Sequence, residues 1–539
     1  MITAITLENF KGIREPMTLA IRPITLLFGP NSAGKSTLLQ GLHYCREVFE
    51  RHNLDADHTI SGGEFVDLGG FENLVHGRDK TRPVRMRIDV TVDDSLSDIF
   101  NPRYEVLQTQ SVGDGLRIRA LTCGLTKAAV EVAIQWSKWE EQPYVSSLRV
   151  LLQDQLFAEI TADANLQQRA FYVDVNHLSL ARIHEPFSQL PTDVSIVECV
   201  LSDLDTLILG GEEEPLSGRG DALVDCHIPL RLESIEEFAD TPISAPQEVL
   251  QDGVALTHLM RAISGLVLGP IQLVRQQLIQ MRYLGPLRET PSRNYKPPRF
   301  PDPARWASGL GAWDVLQTDT DGLAERVSSW LSDSDKLDTG YAVELQEHKQ
   351  LDLSTQSARK LLSGRAFDEV TDDLRDELIR IPTITQLAIV PKGTDLMLRP
   401  QDVGTGISQV LPVVVTALDG THRLLAIEQP ELHLHPRIQA ELADLFIEVA
   451  LGPQRHQVVL ETHSELIPLR IMRRIRECVD GTADPHRPAI KSADVHVAYV
   501  EAHEGATILT TLELGKDGRL LDPWPNGFFE EGFNERFGQ

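Results

Sequence analysis

The sequence predicts an α/β fold: a mixed sheet, an antiparallel β layer and a large, mostly helical insertion. Three observations carry this reading. First, the apolar strand Ile24–Phe28 runs into the glycine loop Gly29-Pro30-Asn31-Ser32-Ala33-Gly34 and then into a helical stretch from Lys35. Second, two further buried apolar runs, 424–427 and 457–460, end in acidic residues late in the chain. Third, residues 84–90, 130–134 and 170–175 alternate with period two, as half-buried strands do.

Taken in order, residues 2–7 and 17–21 read as a first hairpin, bent at Gly12. The junction after residue 28 has the pattern G-x-x-x-x-G-K-[ST]. Its chemistry fixes each residue type. Gly29 and Gly34 let the backbone wrap closely, so that successive N–H groups over Asn31, Ser32, Ala33 and Gly34 form an anion nest. Lys35, Ser36 and Thr37 open the helix, whose positive end faces the same anion. Lys35 is placed to reach β- and γ-phosphates, and Ser36 to ligate Mg²⁺. The alternative is a structural glycine turn.

Residues 187–280 read as mostly helical with acidic loops near 212–214, and 293–305 as a basic, proline-rich loop. Residues 310–380 read as helical again, and 388–398 as a hairpin. The expected organisation is 1–95, the first half of a P-loop head; 96–185, the β layer; 186–380, the helical insertion; and 381–539, the second half of the head.

Composition bounds the function. The chain has 539 residues, a net charge of −28 and five scattered cysteines without a C-x-x-C pair. That acidity argues against nucleic acid binding over the whole surface, leaving a local basic patch or a partner. The cysteines suit reduced thiols. No apolar run approaches the roughly 20 residues of a membrane helix, and the start lacks a signal-peptide pattern. A cytoplasmic protein without a membrane partner is expected.

A P-loop needs partners for hydrolysis: a carboxylate for Mg²⁺, a group that orients water and a γ-phosphate sensor. Glu428 ends the run 424–427, at the carboxyl end of a buried strand where ligands gather in open α/β sheets. Pro436 then opens a helix. His463 follows the run 457–460, placed to contact a γ-phosphate. His433, His435 and His463 could instead be metal ligands, or His433 and His435 could shape a turn; Glu428 could simply cap. Upstream, Gly404-Thr405-Gly406-Ile407-Ser408-Gln409 opens an apolar helix. Gly406 and Ser408 there form either a second anion site or an ordinary N-cap.

Four landmarks resemble the ABC-type ATPase heads of the SMC and RecF group: Leu7-Glu8-Asn9-Phe10-Lys11-Gly12, the P-loop, Ile427-Glu428-Gln429-Pro430-Glu431-Leu432-His433-Leu434-His435-Pro436, and Glu461-Thr462-His463-Ser464. The chain looks most similar to the AAA ATPases of bacterial phage defence, such as the overcoming-lysogenization (OLD) proteins and the PtuA subunit of Septu. Residues 283–288 and 402–409 also resemble this group. The resemblance implies an ABC-type P-loop head in which ATP is sandwiched between two copies, head to tail. It implies that Gly406 and Ser408 act in trans, that Glu428 holds Mg²⁺, and that His463 is the switch histidine. The position that usually carries the catalytic glutamate holds Gln429, which can orient water but cannot act as a base. Glu431 is the remaining candidate, so slow or triggered hydrolysis is expected. About 75 residues follow Glu465, too few for the Toprim nuclease domain of OLD proteins, which points to a separate effector nuclease or toxin.

Two other readings compete. One is a RecF-like repair ATPase that binds duplex DNA, with Arg470, Arg473, Arg474 and Arg476 as a candidate DNA or RNA contact; a solvated face or partner contact explains that run equally. The other is a non-hydrolysing sensor or scaffold, favoured by Gln429. Arg282 and Arg288 suit an ion-pair or phosphate role, and the aromatic tail from Trp524 to Phe533 suits core or docking.

Overall fold

A computed structural model describes residues 1–92, 125–173 except 167, 253–350 except 294, 379–527, and 352–354, 359, 529 and 538. The acidic loops near 212–214, most of the expected helical insertion up to residue 252, residues 360–378, Cys123, Cys199, Cys226, Phe528 and Phe533 lie outside the described residues.

The chain begins with β1 (Ile2–Glu8) paired antiparallel to β2 (Met17–Ala20), with Ile5 opposite Leu19. Strand β3 (Ile24–Phe28) is buried throughout and enters the P-loop and α1 (Lys35–Arg51). A small pair, β4 (His58–Thr59) and β5 (Gly63–Asp67), and the short α2 (Gly70–Leu74) lead to β6 (Val84–Thr91). Strands β7 (Lys127–Ser137), β8 (Gln142–Leu152), β9 (Gln155–Ala162) and β10 (Gln168–Val173) complete an antiparallel sheet in the order β10-β9-β8-β7-β6-β1-β2. An antiparallel β layer is expected from the sequence, but its strands β1, β2 and β6 come from the first 95 residues rather than from 96–185. β8 and β9 turn over Gln153 and Asp154, both left-handed with φ of 51° and 64°. That is the twist two-residue hairpins need, here reached without the usual Asn-Gly signal.

Helix α3 (Gly253–Ile279) precedes β11 (Met281–Leu284), and α4 (Leu310–Gln317) and α5 (Leu323–Ser332) follow. The stretch 310–380, read as helical, then departs from expectation. β12 (Tyr341–Lys349) is a strand, paired antiparallel with β13 (Thr383–Pro391). Residue 343 is its one well-buried position; the outer half is polar on both faces and carries no period-two signal. The expected hairpin at 388–398 is only a bridge between Ile389 and Leu398.

Helix α6 (Thr405–Leu418), β14 (Leu424–Glu428), α7 (Pro436–Leu451), β15 (Gln457–Glu461) and α8 (Leu466–Val479) return the chain to the head. Strand β16 (Val495–His503) turns into β17 (Ala506–Leu512). Beyond this hairpin, a single bridge joins Leu514 and Leu520. The second sheet runs β11-β14-β15-β3-β16-β17, parallel except for β17.

The central strands β3, β14 and β15 are buried on both faces, so they read as apolar runs without alternation. Leu27, Ala426, Val459 and Ala498 join one core with the antiparallel sheet, α1 and α3. Leu26, Ile427, Leu460 and Val497 join the other with α6, α7 and α8. In α8 the buried Ile467, Ile471 and Ile475 recur every four residues, the spacing of one helix face. The aromatic tail packs as expected where it is described: Trp524 and Phe529 meet Phe28 edge-on at 5.2 and 5.6 Å.

The β16–β17 hairpin holds the P-loop in place. A Cβ on Gly29, whose φ is 143°, would lie 2.0 Å from the carbonyl oxygen of Val500. A Cβ on Gly34, at φ 101°, would lie 2.5 Å from the Thr507 hydroxyl. Thr507 also donates its N–H to the Gly12 carbonyl at 2.7 Å. Two of the sequence landmarks are therefore locked by one strand near the other end of the chain. Gly29→Ala should lower the stability of the nucleotide-free protein by at least about 2 kcal/mol, through backbone strain and the clash. Denaturant melts without nucleotide check this; an unchanged midpoint would contradict the packing.

Candidate nucleotide site

The site forms where β3, β15 and β14 end side by side. Register places Leu27 opposite Glu461, and Glu461 opposite Glu428. The P-loop leaves β3 with Ser32 left-handed at φ 61°. Asn31 and Ser32 are exposed, Ala33 is buried, and Gly34, Ser36 and Thr37 are half-buried.

The Lys35 side chain is only 4% exposed. Its ammonium donates to the carbonyls of Gly29 and Pro30, both at 2.9 Å, and lies 3.9 Å from Glu461 Oε1. Burial pulls its pKa down, and the Glu461 and Glu428 charges partly restore it. The Ser36 hydroxyl lies between two carboxylates, 2.9 Å from Glu461 Oε2 and 3.4 Å from Glu428 Oε2. Tyr283, on β11, donates its hydroxyl to Glu428 Oε1 at 2.8 Å. Glu428 thus has both oxygens engaged.

Arg288 secures the turn behind Glu428. Its Nη2 donates to the carbonyls of Glu428 at 2.6 Å and Gln429 at 3.0 Å. Gln409 of α6 donates to the Arg288 carbonyl at 2.7 Å, tying the glycine-loop helix to this turn. Gln429 is left-handed at φ 44°, and its N–H donates to the Glu461 carbonyl at 2.7 Å. Glu431 Oε1 accepts the N–H of His463 at 2.7 Å, and the Thr462 hydroxyl also stands against this buried carboxylate. Burial lowers the pKa of His463, with the Lys35 charge acting in the same direction.

Glu428, Gln429, Glu431 and His463 therefore lie close to Lys35 and Ser36, linked by these contacts. Glu461 and Tyr283 were not singled out as site residues from the sequence. A carboxylate or tyrosine at a strand end gains meaning only once the strand order is known. Ser408 departs from the expected arrangement: it is buried and its hydroxyl donates to the Thr405 carbonyl at 3.0 Å, the back-bonding of an interior helical serine. The exposed residues at that helix start are Gly404 and Thr405, with Gly406 half-buried.

The histidines do not cluster. His435 caps α7 by accepting the Arg437 N–H at 3.3 Å, and His433 turns the chain at φ 62°. Among the described residues no group of three or more His, Cys, Asp or Glu side chains is arranged to hold a metal. The basic run is largely neutralised. Arg470 pairs with Glu441, Arg473 with Glu477, and Arg474 with both Asp444 and Glu477. Among the described residues, Arg476 alone of the four has no ion pair of this kind. Arg282 is likewise internal, paired with Asp419 at 3.1 Å and stacked 3.4 Å over Trp306.

Burial pushes Glu428 up to about 7, and the neighbouring Glu461 charge adds to the rise. Burial raises Glu461 and Glu431 as well. A carboxylate whose folded pKa is raised stabilises the fold below its unfolded value and loses that contribution as pH rises through the folded one. Buried neutral histidines such as His43 and His422, both held near 3, act in the opposite sense. The comparison with Glu428→Gln isolates the carboxylate. Without nucleotide or metal, the wild-type melting temperature should fall relative to Glu428→Gln by a few kelvin between pH 4.5 and about 7. Parallel pH profiles would contradict a shared proton at this site.

The family model described as "AAA domain, putative AbiEii toxin, Type IV TA system" matches residues 24–111 and 269–470. A 76-residue stretch is 33% identical to the DNA replication and repair protein RecF of Chlorobium phaeobacteroides (strain BS1), covering 13% of this chain and 21% of that protein. The match thus spans about a fifth of that relative. The Smc head domain from Pyrococcus furiosus, with an extended coiled coil and bound to the C-terminal domain of ScpA, aligns over 95% of this chain and 96% of its own, at 11% identity and a TM-score of 0.36. The SMC head domain from Thermotoga maritima aligns over 95% and 99%, at 9% identity and a TM-score of 0.34. Overlaps this loose add nothing to the strand order described above. The family match spans more than half of the chain and takes in the P-loop, Glu428 and His463, so the chain belongs to this AAA family.

Proposed function

We propose that this protein is a Mg²⁺-dependent ATPase that dimerises head to tail around ATP and controls a separate effector nuclease or toxin in bacterial phage defence. The observation that carries the nucleotide reading is the Lys35–Ser36 pair held against Glu428 and Glu461 at the ends of adjacent strands. The N–H groups of the loop and the positive end of α1 would hold the phosphates. A hydroxyl and carboxylates are the hard oxygen donors that suit Mg²⁺, and Ser36 with Glu428 would hold it. When bound, the ion would neutralise charge on the transferring phosphoryl group.

Gln429 orients the attacking water, as an amide can. Glu431, buried and with its pKa raised by burial, is the base proposed here. Its other oxygen fixes the backbone of His463, the γ-phosphate sensor. In trans, Thr405 and Gly406 are better placed than Ser408, whose hydroxyl is bonded within its own helix. The family's description names a putative toxin of a type IV toxin–antitoxin system, which fits a role in defence but assigns no separate toxic partner. Among the described residues no helix is long and apolar enough to cross a membrane, and we place the protein in the cytoplasm.

The sensor reading draws on one specific observation, Gln429 at the position of the base. The deciding experiment records ATP turnover and oligomeric mass in the same Mg-ATP sample. Turnover with ATP-dependent dimerisation supports the proposal. Tight binding and dimerisation without turnover favours the sensor; a monomer that neither binds nor turns over ATP overturns both.

A further inference from the structure

Glu461 opens the Glu461-Thr462-His463-Ser464 landmark without a role of its own in the sequence reading, yet its side chain reaches the centre of the site. It closes β15, the strand lying between the P-loop strand β3 and the Glu428 strand β14. Its Oε2 accepts the Ser36 hydroxyl at 2.9 Å, half an ångström closer than Glu428 Oε2. Glu461 is 5% exposed and Glu428 8%. Two buried carboxylates on one hydroxyl are costly in the ionised form unless a proton or a cation lies between them, and a cation lets both ionise.

The chain's own cations do not fill that role. Lys35 stands 3.9 Å from Glu461, and the nucleotide reading sends its ammonium to the phosphates. Arg288 directs Nη2 to the backbone carbonyls of Glu428 and Gln429. Glu431, whose charge raises the Glu461 pKa, adds a third buried carboxylate beside the pair, and a hydrated divalent ion would offset that accumulated charge.

We propose that Glu461 is a second carboxylate of the divalent-cation seat, so that Ser36, Glu428 and Glu461 together hold the ion that accompanies the nucleotide. This rests on the nucleotide reading above. An ordinary P-loop site uses the loop hydroxyl and a single strand-end carboxylate. The second carboxylate makes nucleotide binding here depend unusually strongly on the metal. Without metal, the pair either holds a proton or sets its negative charge against the phosphates; with metal, both carboxylates become ligands.

The test is calorimetric titration of a non-hydrolysable ATP analogue into the full chain, with EDTA and with Mg²⁺, together with Mn²⁺ binding to the nucleotide complex followed by electron paramagnetic resonance. Glu461→Gln, which keeps the shape, should weaken Mn²⁺ binding by about tenfold or more. It should also shrink the Mg²⁺ enhancement of nucleotide affinity, while affinity in EDTA stays level or rises. Glu461→Asp should recover part of the Mn²⁺ affinity. Unchanged Mn²⁺ binding with lost turnover would overturn the proposal and make Glu461 a base. An equal loss of affinity with and without metal would overturn it in favour of a structural role. A wild-type chain that binds no nucleotide in either buffer would refute the nucleotide reading itself.

Discussion

The site depends on one arrangement: β15 lies hydrogen-bonded between β14 and β3. The strands that end in Glu428 and in the P-loop are separated by most of the chain, and β15 holds them at a fixed parallel register. Every polar contact of the site follows. The Ser36 hydroxyl can bridge Glu428 and Glu461 only because the three strands end at one level. The alternating apolar side chains of these strands fill cores on both faces, so burial of the sheet and burial of the ionic cluster are inseparable. A slip of one residue in β15 would exchange its two faces.

The surroundings reinforce that edge from three directions. Tyr283 on β11 fixes one oxygen of Glu428, Arg288 fixes the backbone of the following turn, and the β16–β17 hairpin closes over Gly29 and Gly34. Gln409 extends the network to α6, whose exposed N-terminus is the surface proposed to meet a second copy. Nucleotide engagement at that helix would therefore act on the same residues that hold the chain's own Glu428.

Much of this was legible in the sequence, for physical reasons. A loop that wraps a phosphate restricts its residue types severely, and a buried strand that ends in a carboxylate stands out against its apolar run. The β layer announced itself by alternation in β6 and β7. What escaped depended on three-dimensional neighbours. Glu461 is one acidic residue among several until β15 is placed beside β3. β12 lacks the periodic signal of a half-buried strand because its outer half packs on little. Ser408 looked like an anion ligand because serine favours helix starts, but it sits one turn inside, where its hydroxyl returns to the helix.

The central claim is that Lys35 and the strand-end carboxylates form a nucleotide site, and equilibrium binding of Mg-ATP to the full chain and to Lys35→Ala tests it most directly. The account predicts saturable binding by the wild type and loss of at least about a hundredfold in affinity on removing the ammonium, the scale of a buried charge-assisted contact of about 3 kcal/mol. Equal affinity in the two proteins would contradict it.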